Sequence, residues 1–379
     1  MHIQSFFYFL FSKKNLKTSI LFGLLFITNT YTYIHARSNL NIGSINDQPA
    51  AVDKQLIWAI QDNNLQKVIA LVRDQKNINN QDFLGYSPLH YAAKYAKKSI
   101  VACLIEAKAL LNQVSVRNGN TPLLLAIRRG HKNIVSLLLA SGANPNIVNH
   151  KGYHPLHLAI QQNRKDLVEL LLEAGATCST MPSPLLMAIK QRSLPIVQRL
   201  LQHNQVVETQ DKKGYTELHW AAKQNLLAIF QILLKSGRFN INAKAANGVT
   251  PLHFIVANKK TKLLKAILHV PALTVNVQDS TGSTPLHYAV VANQLKAVSA
   301  LLRYPCIDVN KQNNRGQTAL HYAVQYQHVD IVKKLLLYVG KGARIKNKEG
   351  VTPLELAMSQ QNGKIYQLIL AHVSLLGVD

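Results

Sequence analysis

The sequence is short of acid. Asp and Glu number 18 among 379 residues, against 43 Lys and Arg, for a formal net charge of +25. Charged residues make up only 16% of the chain, below the usual quarter, so the imbalance comes from missing carboxylates. Three cysteines exclude a disulfide scaffold. Eighteen Gly and 13 Pro are too few for collagen or a Pro/Gly-rich linker protein. No G-x-S-x-G, P-loop, H-E-x-x-H or kinase signature is present, so the motifs of the common hydrolases, nucleotide enzymes and zinc proteases are missing. What is there is apolar bulk. At 47% it excludes disorder throughout the chain and leaves a well-filled, basic, globular or repeat protein.

Residues 1–36 stand apart and contain no Asp or Glu. Lys13, Lys14 and Lys17 precede the apolar run Ile20–Ile27, polar residues follow, and Ala36 closes the segment. A basic start, a short apolar core and a small residue at the cut describe a secretory signal peptide. The run is well short of the ~20 residues a spanning helix needs. Phe6 to Phe11 adds a second apolar patch, so an uncleaved anchor is the alternative. Either way the array that follows is expected outside the cytoplasm, periplasmic, secreted or membrane-tethered, with +22 on a chain starting at Arg37. Residues 37–51 are rich in Ser, Asn and Gly and read as a linker.

The rest is one unit repeated. Gly85-Tyr-Ser-Pro-Leu-His90 returns as Gly119-Asn-Thr-Pro-Leu-Leu124, Gly152-Tyr-His-Pro-Leu-His157, Gly214-Tyr-Thr-Glu-Leu-His219 and Gly248-Val-Thr-Pro-Leu-His253. Gly282-Ser-Thr-Pro-Leu-His287, Gly316-Gln-Thr-Ala-Leu-His321 and Gly350-Val-Thr-Pro-Leu-Glu355 complete the set. Anchor leucines run from Leu56 through Leu89, Leu123, Leu156, Leu185, Leu218, Leu252, Leu286 and Leu320 to Leu354, spaced 33 or 34 residues apart with one interval of 29.

This phrase and period resemble the ankyrin repeat, over residues 52–373. The resemblance implies an all-α solenoid of helix-turn-helix units with β-hairpin fingers, elongated and curved. About ten units are expected, two of them caps, followed by a tail at 374–379.

The chemistry of one unit agrees. Thr or Ser before Pro is an N-cap followed by a residue that needs no N–H at the first helical position. A second helix carries an Ile-Val-x-x-Leu-Leu pattern, as in Ile134, Val135, Leu138 and Leu139. Gly142 and Gly175 sit where a left-handed C-cap is wanted, and Asn204 takes that slot in another unit. Neither helix is long enough to stand alone, so neighbours must bury each apolar stripe and the units must stack. The 29-residue interval shortens the finger between Gly175 and Pro184, which is either a tolerated loop deletion or a bend.

Six histidines, His90, His157, His219, His253, His287 and His321, share one slot of the phrase. A slot filled once per unit is a scaffold position, and the resemblance implies hydrogen bonds from it to the next loop. His150, His154 and His157 lie close together without an acidic or Cys companion nearby, so no zinc site is expected there, and no cofactor. Cys103 replaces a helical Leu and reads as a small core residue. Cys178 and Cys306 fall in loops, units apart and beyond disulfide reach.

Variation concentrates in the two residues after the Ala-Ala position of the first helix. The resemblance implies that these face the concave groove. The pairs begin Lys94-Tyr95, Arg128-Arg129, Gln161-Gln162, Lys190-Gln191 and Lys223-Gln224. From Ala257-Asn258 onward they carry no charge. Finger tips add Phe83, Tyr86, Tyr153, Lys212, Lys213 and Tyr215. Cations among aromatics suit binding hot spots. The expectation is a monomeric, non-catalytic scaffold that docks an acidic protein on the first half of its groove. The alternatives are nucleic-acid or anionic-lipid binding through overall charge, and an exported effector acting inside another cell.

Overall fold

The computed structural model describes residues 54–73, 78–177, 182–203 and 206–375. The leader, the linker, Cys178, Asn204 and the last four residues lie outside the described residues.

Among the described residues, twenty α-helices pair into ten helix-turn-helix units, from Lys54–Gln61 with Leu65–Arg73 to Pro353–Ser359 with Gly363–Leu375. A Ser or Thr fills the N-cap of eight first helices and His154 fills a ninth. Where Glu217 replaces Pro, its buried carboxylate accepts from the N–H and hydroxyl of Thr209. Every helix-helix turn holds one residue in the left-handed region. It is glycine only at Gly130; the other nine include Asn63, Ala96, Arg192 and Lys259. That slot was not legible in the sequence, because non-glycine residues fill it at ~1–2 kcal/mol each.

First helices pack on the first helices of adjacent units, and second helices do the same. The core between the two rows is continuous. Nine of the ten anchor leucines are 0–2% exposed, and Leu354 of the last unit is half-buried. Units flanking the shortened finger keep both helix contacts, as a loop deletion predicts.

Among the described residues there is no β-strand, which corrects the expected hairpins. Each finger with a tip glycine closes through a tip turn and one further backbone bond, such as Gly214 N–H to Asp211 (2.8 Å) and Asp211 N–H to Tyr215 (3.1 Å). A single backbone bond then joins a finger to the next, as from Ala246 N–H to Lys213 and from Lys348 N–H to Arg315, both 3.0 Å. One bond per junction makes no ladder. Close approach explains the tip glycine: a Cβ on Gly214 would meet the Ala246 nitrogen at 2.6 Å.

The six phrase histidines join the units. Nδ1 of His90 accepts from the Ser87 N–H at 3.0 Å, and its Nε2 lies 2.9 Å from the Asn120 carbonyl of the next unit. His219 repeats this with Thr216 and Val249, His253 with Thr250 and Ser283, His287 with Thr284 and Gln317, and His321 with Thr318 and Val351. His157 reaches Pro182 at 2.8 Å across the shortened finger. An Nδ1 that accepts a backbone N–H is unprotonated, so the proton sits on Nε2 and donates to the carbonyl. Where the slot holds Leu124 or Leu186, the N-cap hydroxyl accepts from that residue's N–H instead.

Candidate recognition surface

The helix ends and finger tips of the early units carry the residues singled out by sequence. The structure sorts them into three situations. Lys94 is half-buried and lies over two rings of its own unit, 5.9 Å from the Tyr91 centroid and 5.1 Å from Tyr95. Tyr91 and Tyr95 stack at 6.4 Å, and Tyr86 meets Tyr91 edge-on at 5.9 Å. This is a finished cation-π cluster, with Tyr95 38% exposed. Phe83 stands clear of it at the tip, 90% exposed.

A second cluster forms around Trp220. Lys190 lies 4.4 Å and Lys223 4.9 Å from the indole, and Lys223 also sits 5.3 Å from Tyr215. Tyr215 packs edge-on against Trp220 and Phe254. Asp211 accepts from the Trp220 N–H at 2.9 Å and pairs with Lys190 at 3.5 Å. Asp211 is largely buried yet titrates below its ordinary value, because backbone N–H groups, the indole and Lys190 outweigh the cost of desolvation. Lys190 therefore already has an anionic partner within the fold.

The remaining cations are uncommitted. Arg128, Arg129, Lys212 and Lys213 are exposed, and none belongs to the five ion pairs among the described residues. Arg128 and Tyr153 line a cavity of about 860 Å³ between the third and fourth units. Arg129 and the Lys212-Lys213 tip do not line it. The twelve sequence candidates thus form two aromatic clusters, one cationic cavity, isolated tips and the lone helix-end Arg129.

Sequence reasoning missed the rings at the centre of the clusters. Tyr91, Trp220, Phe254, Tyr288 and Tyr322 all follow the phrase histidine directly. Four of them bond to an acid or amide nine residues earlier: Tyr91 to Asp82 (2.6 Å), Trp220 to Asp211, Tyr288 to Asp279 (2.7 Å) and Tyr322 to Asn313 (2.9 Å). That nine-residue spacing was the available signal. Burial and the aspartates push the Tyr91 and Tyr288 phenols up, so both stay donors.

The three histidines at 150–157 do not converge as a ligand set. His157 spends both ring nitrogens on backbone, and no group of three potential ligands converges among the described residues. Cys103 is half-buried against the core with its thiol pushed up by burial, and Cys306 is exposed.

Comparison with known proteins supports the repeat reading along the whole array. The family model for ankyrin repeats (3 copies) matches residues 56–149, 107–181, 177–245, 237–313 and 301–377. The palmitoyltransferase ZDHHC17 of Danio rerio is 34% identical over 224 residues, which are 56% of this chain and 36% of that protein. The ankyrin repeat and SOCS box protein 2 of Bos taurus is 33% identical over 107 residues, 28% of this chain and 17% of that one. The matched segments thus cover little more than a third of these relatives at most. A solved ankyrin repeat protein, EF0377, aligns with a TM-score of 0.46 and 29% identity over 49% of this chain and 96% of its own.

Proposed function

The chain belongs to the ankyrin-repeat family, and from that premise we propose that it is a non-catalytic scaffold that docks an acidic protein on the first half of its groove. The repeats support a protein-interaction role. The observation that carries the finer reading is the set of exposed cations outside the ion pairs, Arg128, Arg129, Lys212 and Lys213, in the same half of the array as the two aromatic clusters. Aromatic and Arg side chains with fixed geometry are the residues interfaces use as anchors. In later units the equivalent helix ends carry no charge, from Ala257-Asn258 to Ser359-Gln360. The leader at 1–36 is read as exporting this array. The palmitoyltransferase activity named for some relatives belongs to proteins of which this chain matches only the repeats.

The test is capture of a partner from the native compartment, followed by affinity measurements on two charge-matched variants. Arg128→Glu with Arg129→Glu reverses two groove cations. Lys262→Glu with Lys265→Glu makes the same charge change on exposed positions of a second helix. The groove variant is expected to lose several kcal/mol of binding, the usual cost of opposing like charges, and the control little. Equal losses would mean that overall charge, and hence a nucleic-acid or lipid surface, drives binding.

A further inference from the structure

The cavity between the third and fourth units has a composition that the rest of the groove does not share. Arg117 and Lys151 come from successive finger tips, and Arg128 comes from the end of the helix Pro122–Arg129. Tyr153, Asn118 and Gln161 are among the neutral residues of the wall, and no Asp or Glu lines it. The fingers are held in register by the bond from His150 N–H to the Asn118 carbonyl at 3.0 Å. Arg117, Arg128 and Lys151 are exposed and take part in none of the ion pairs among the described residues.

A basic residue at a helix C-terminus has a structural explanation in the helix dipole, and this covers Arg128. It does not cover Arg117 and Lys151 on the loops across the cavity. Elsewhere the chain spends its few acids on such cations, as in Arg164 with Asp166 at 2.7 Å and Lys190 with Asp211 at 3.5 Å. Three like charges around one concavity repel one another in the free protein, and an incoming group of carboxylates would relieve that repulsion. Two guanidiniums offer bidentate geometry to carboxylates, and the volume of about 860 Å³ suits several residues of extended chain better than one small ion.

Resting on the reading above of an acidic protein partner, we propose that this cavity is the seat of that partner's acidic segment, a run of Glu or Asp side chains held by Arg117, Arg128 and Lys151. The aromatic clusters on either side then act as flanking contacts, since their lysines are already committed to rings or to Asp211.

The experiment uses the full chain and a fluorescein-labelled Glu-Glu-Tyr-Glu-Glu peptide, read by fluorescence anisotropy at low and at physiological salt. The expected result is saturable binding that weakens with salt. Arg117→Glu with Arg128→Glu should weaken it at least tenfold, and Lys262→Glu with Lys265→Glu less than twofold. If Lys223→Glu weakens binding and the arginine pair does not, the groove reading stands and this seat is wrong. If the Lys262 and Lys265 control weakens binding as much as the arginine pair, both readings fail together. No binding of the peptide by the unaltered chain also overturns the seat, and partner capture then decides the broader reading alone. A single-stranded RNA of equal charge that binds tighter than the peptide and loses affinity in the arginine variant would replace the occupant.

Discussion

Mild acid should unfold this protein, through the histidines that join its repeats. Burial pushes the imidazoles of His90, His157, His253 and His287 down to about 4, and those of His219 and His321 in the same direction. In the fold each ring is neutral with Nδ1 already accepting, so a second proton must break the bond to the N-cap N–H. The unfolded chain takes up those protons near the ordinary 6.5. Stability is therefore complete above about pH 6.5 and falls as the pH drops toward 4, where the unfolded state binds more protons. Between pH 7 and pH 5 the linkage amounts to about 2 kcal/mol for each of the four, or about 8 kcal/mol together. That is comparable with the whole stability of an ordinary domain. The depressed carboxylates, Asp166, Asp211, Asp279 and Glu355, lose their contribution only as the pH falls below their ordinary values near 4, whereas Glu208 and Glu217, which burial pushes up, act in the opposite sense and offset part of the histidine effect. Urea denaturation followed by far-UV circular dichroism from pH 7.5 to 4.5 measures the effect. His287→Leu, which copies the natural Leu124 arrangement, should lower the pH slope by about one proton. A urea midpoint at pH 5 equal to that at pH 7 would refute the assignment of neutral, doubly bonded rings.

Four further outcomes are expected. Leu286→Ala removes an anchor that is 1% exposed and should cost ~2–5 kcal/mol; a loss below ~1 kcal/mol in chemical denaturation would contradict its place in the core. His253→Ala strands the Thr250 N–H and the Ser283 carbonyl, at about 1–3 kcal/mol for each orphaned group, and metal analysis before and after should show no stoichiometric zinc to lose. Lys259→Gly relieves a left-handed backbone at φ 58° and should stabilise by up to about 1 kcal/mol, so a lower melting temperature would argue against that turn. Intact mass of protein recovered from its native compartment should correspond to a chain starting at Arg37, whereas a full-length, membrane-retained chain favours the anchor.

Most of the architecture was legible because each unit states its own local rules. Thr-Pro at a helix start, Leu one position on, His three positions after Thr and Gly at the finger tip are short-range requirements. Repetition at 33–34 residues separates them from chance. The buried leucines followed from that alone, and the inter-unit role of the histidines was what the family resemblance implied. The absence of strands did not, since a finger sequence cannot show that its neighbour supplies only one bond. Nor did the left-handed turn between the helices, which Ala96 and Lys259 occupy without the usual glycine.

The candidate surface was the least legible part, for a physical reason. The sequence placed Lys94, Arg128, Lys190 and Lys223 in one equivalent slot and could only treat them alike. What each does depends on side chains from its own helix, its own finger and the unit beside it, between 1 and 30 residues away. Tertiary packing put Lys94 over Tyr91 and Tyr95, set Lys190 between Asp211 and Trp220, and laid Lys223 on Tyr215. It left Arg128 facing Arg117 and Lys151 across an acid-free cavity. The sequence alone determined that the chain repeats, which residues fill its core, and that carboxylates are scarce. Only the tertiary structure decided which cations are engaged by their neighbours and which remain free, because that depends on how side chains settle within a unit, as for Lys94, and on the register between units, as for Lys190.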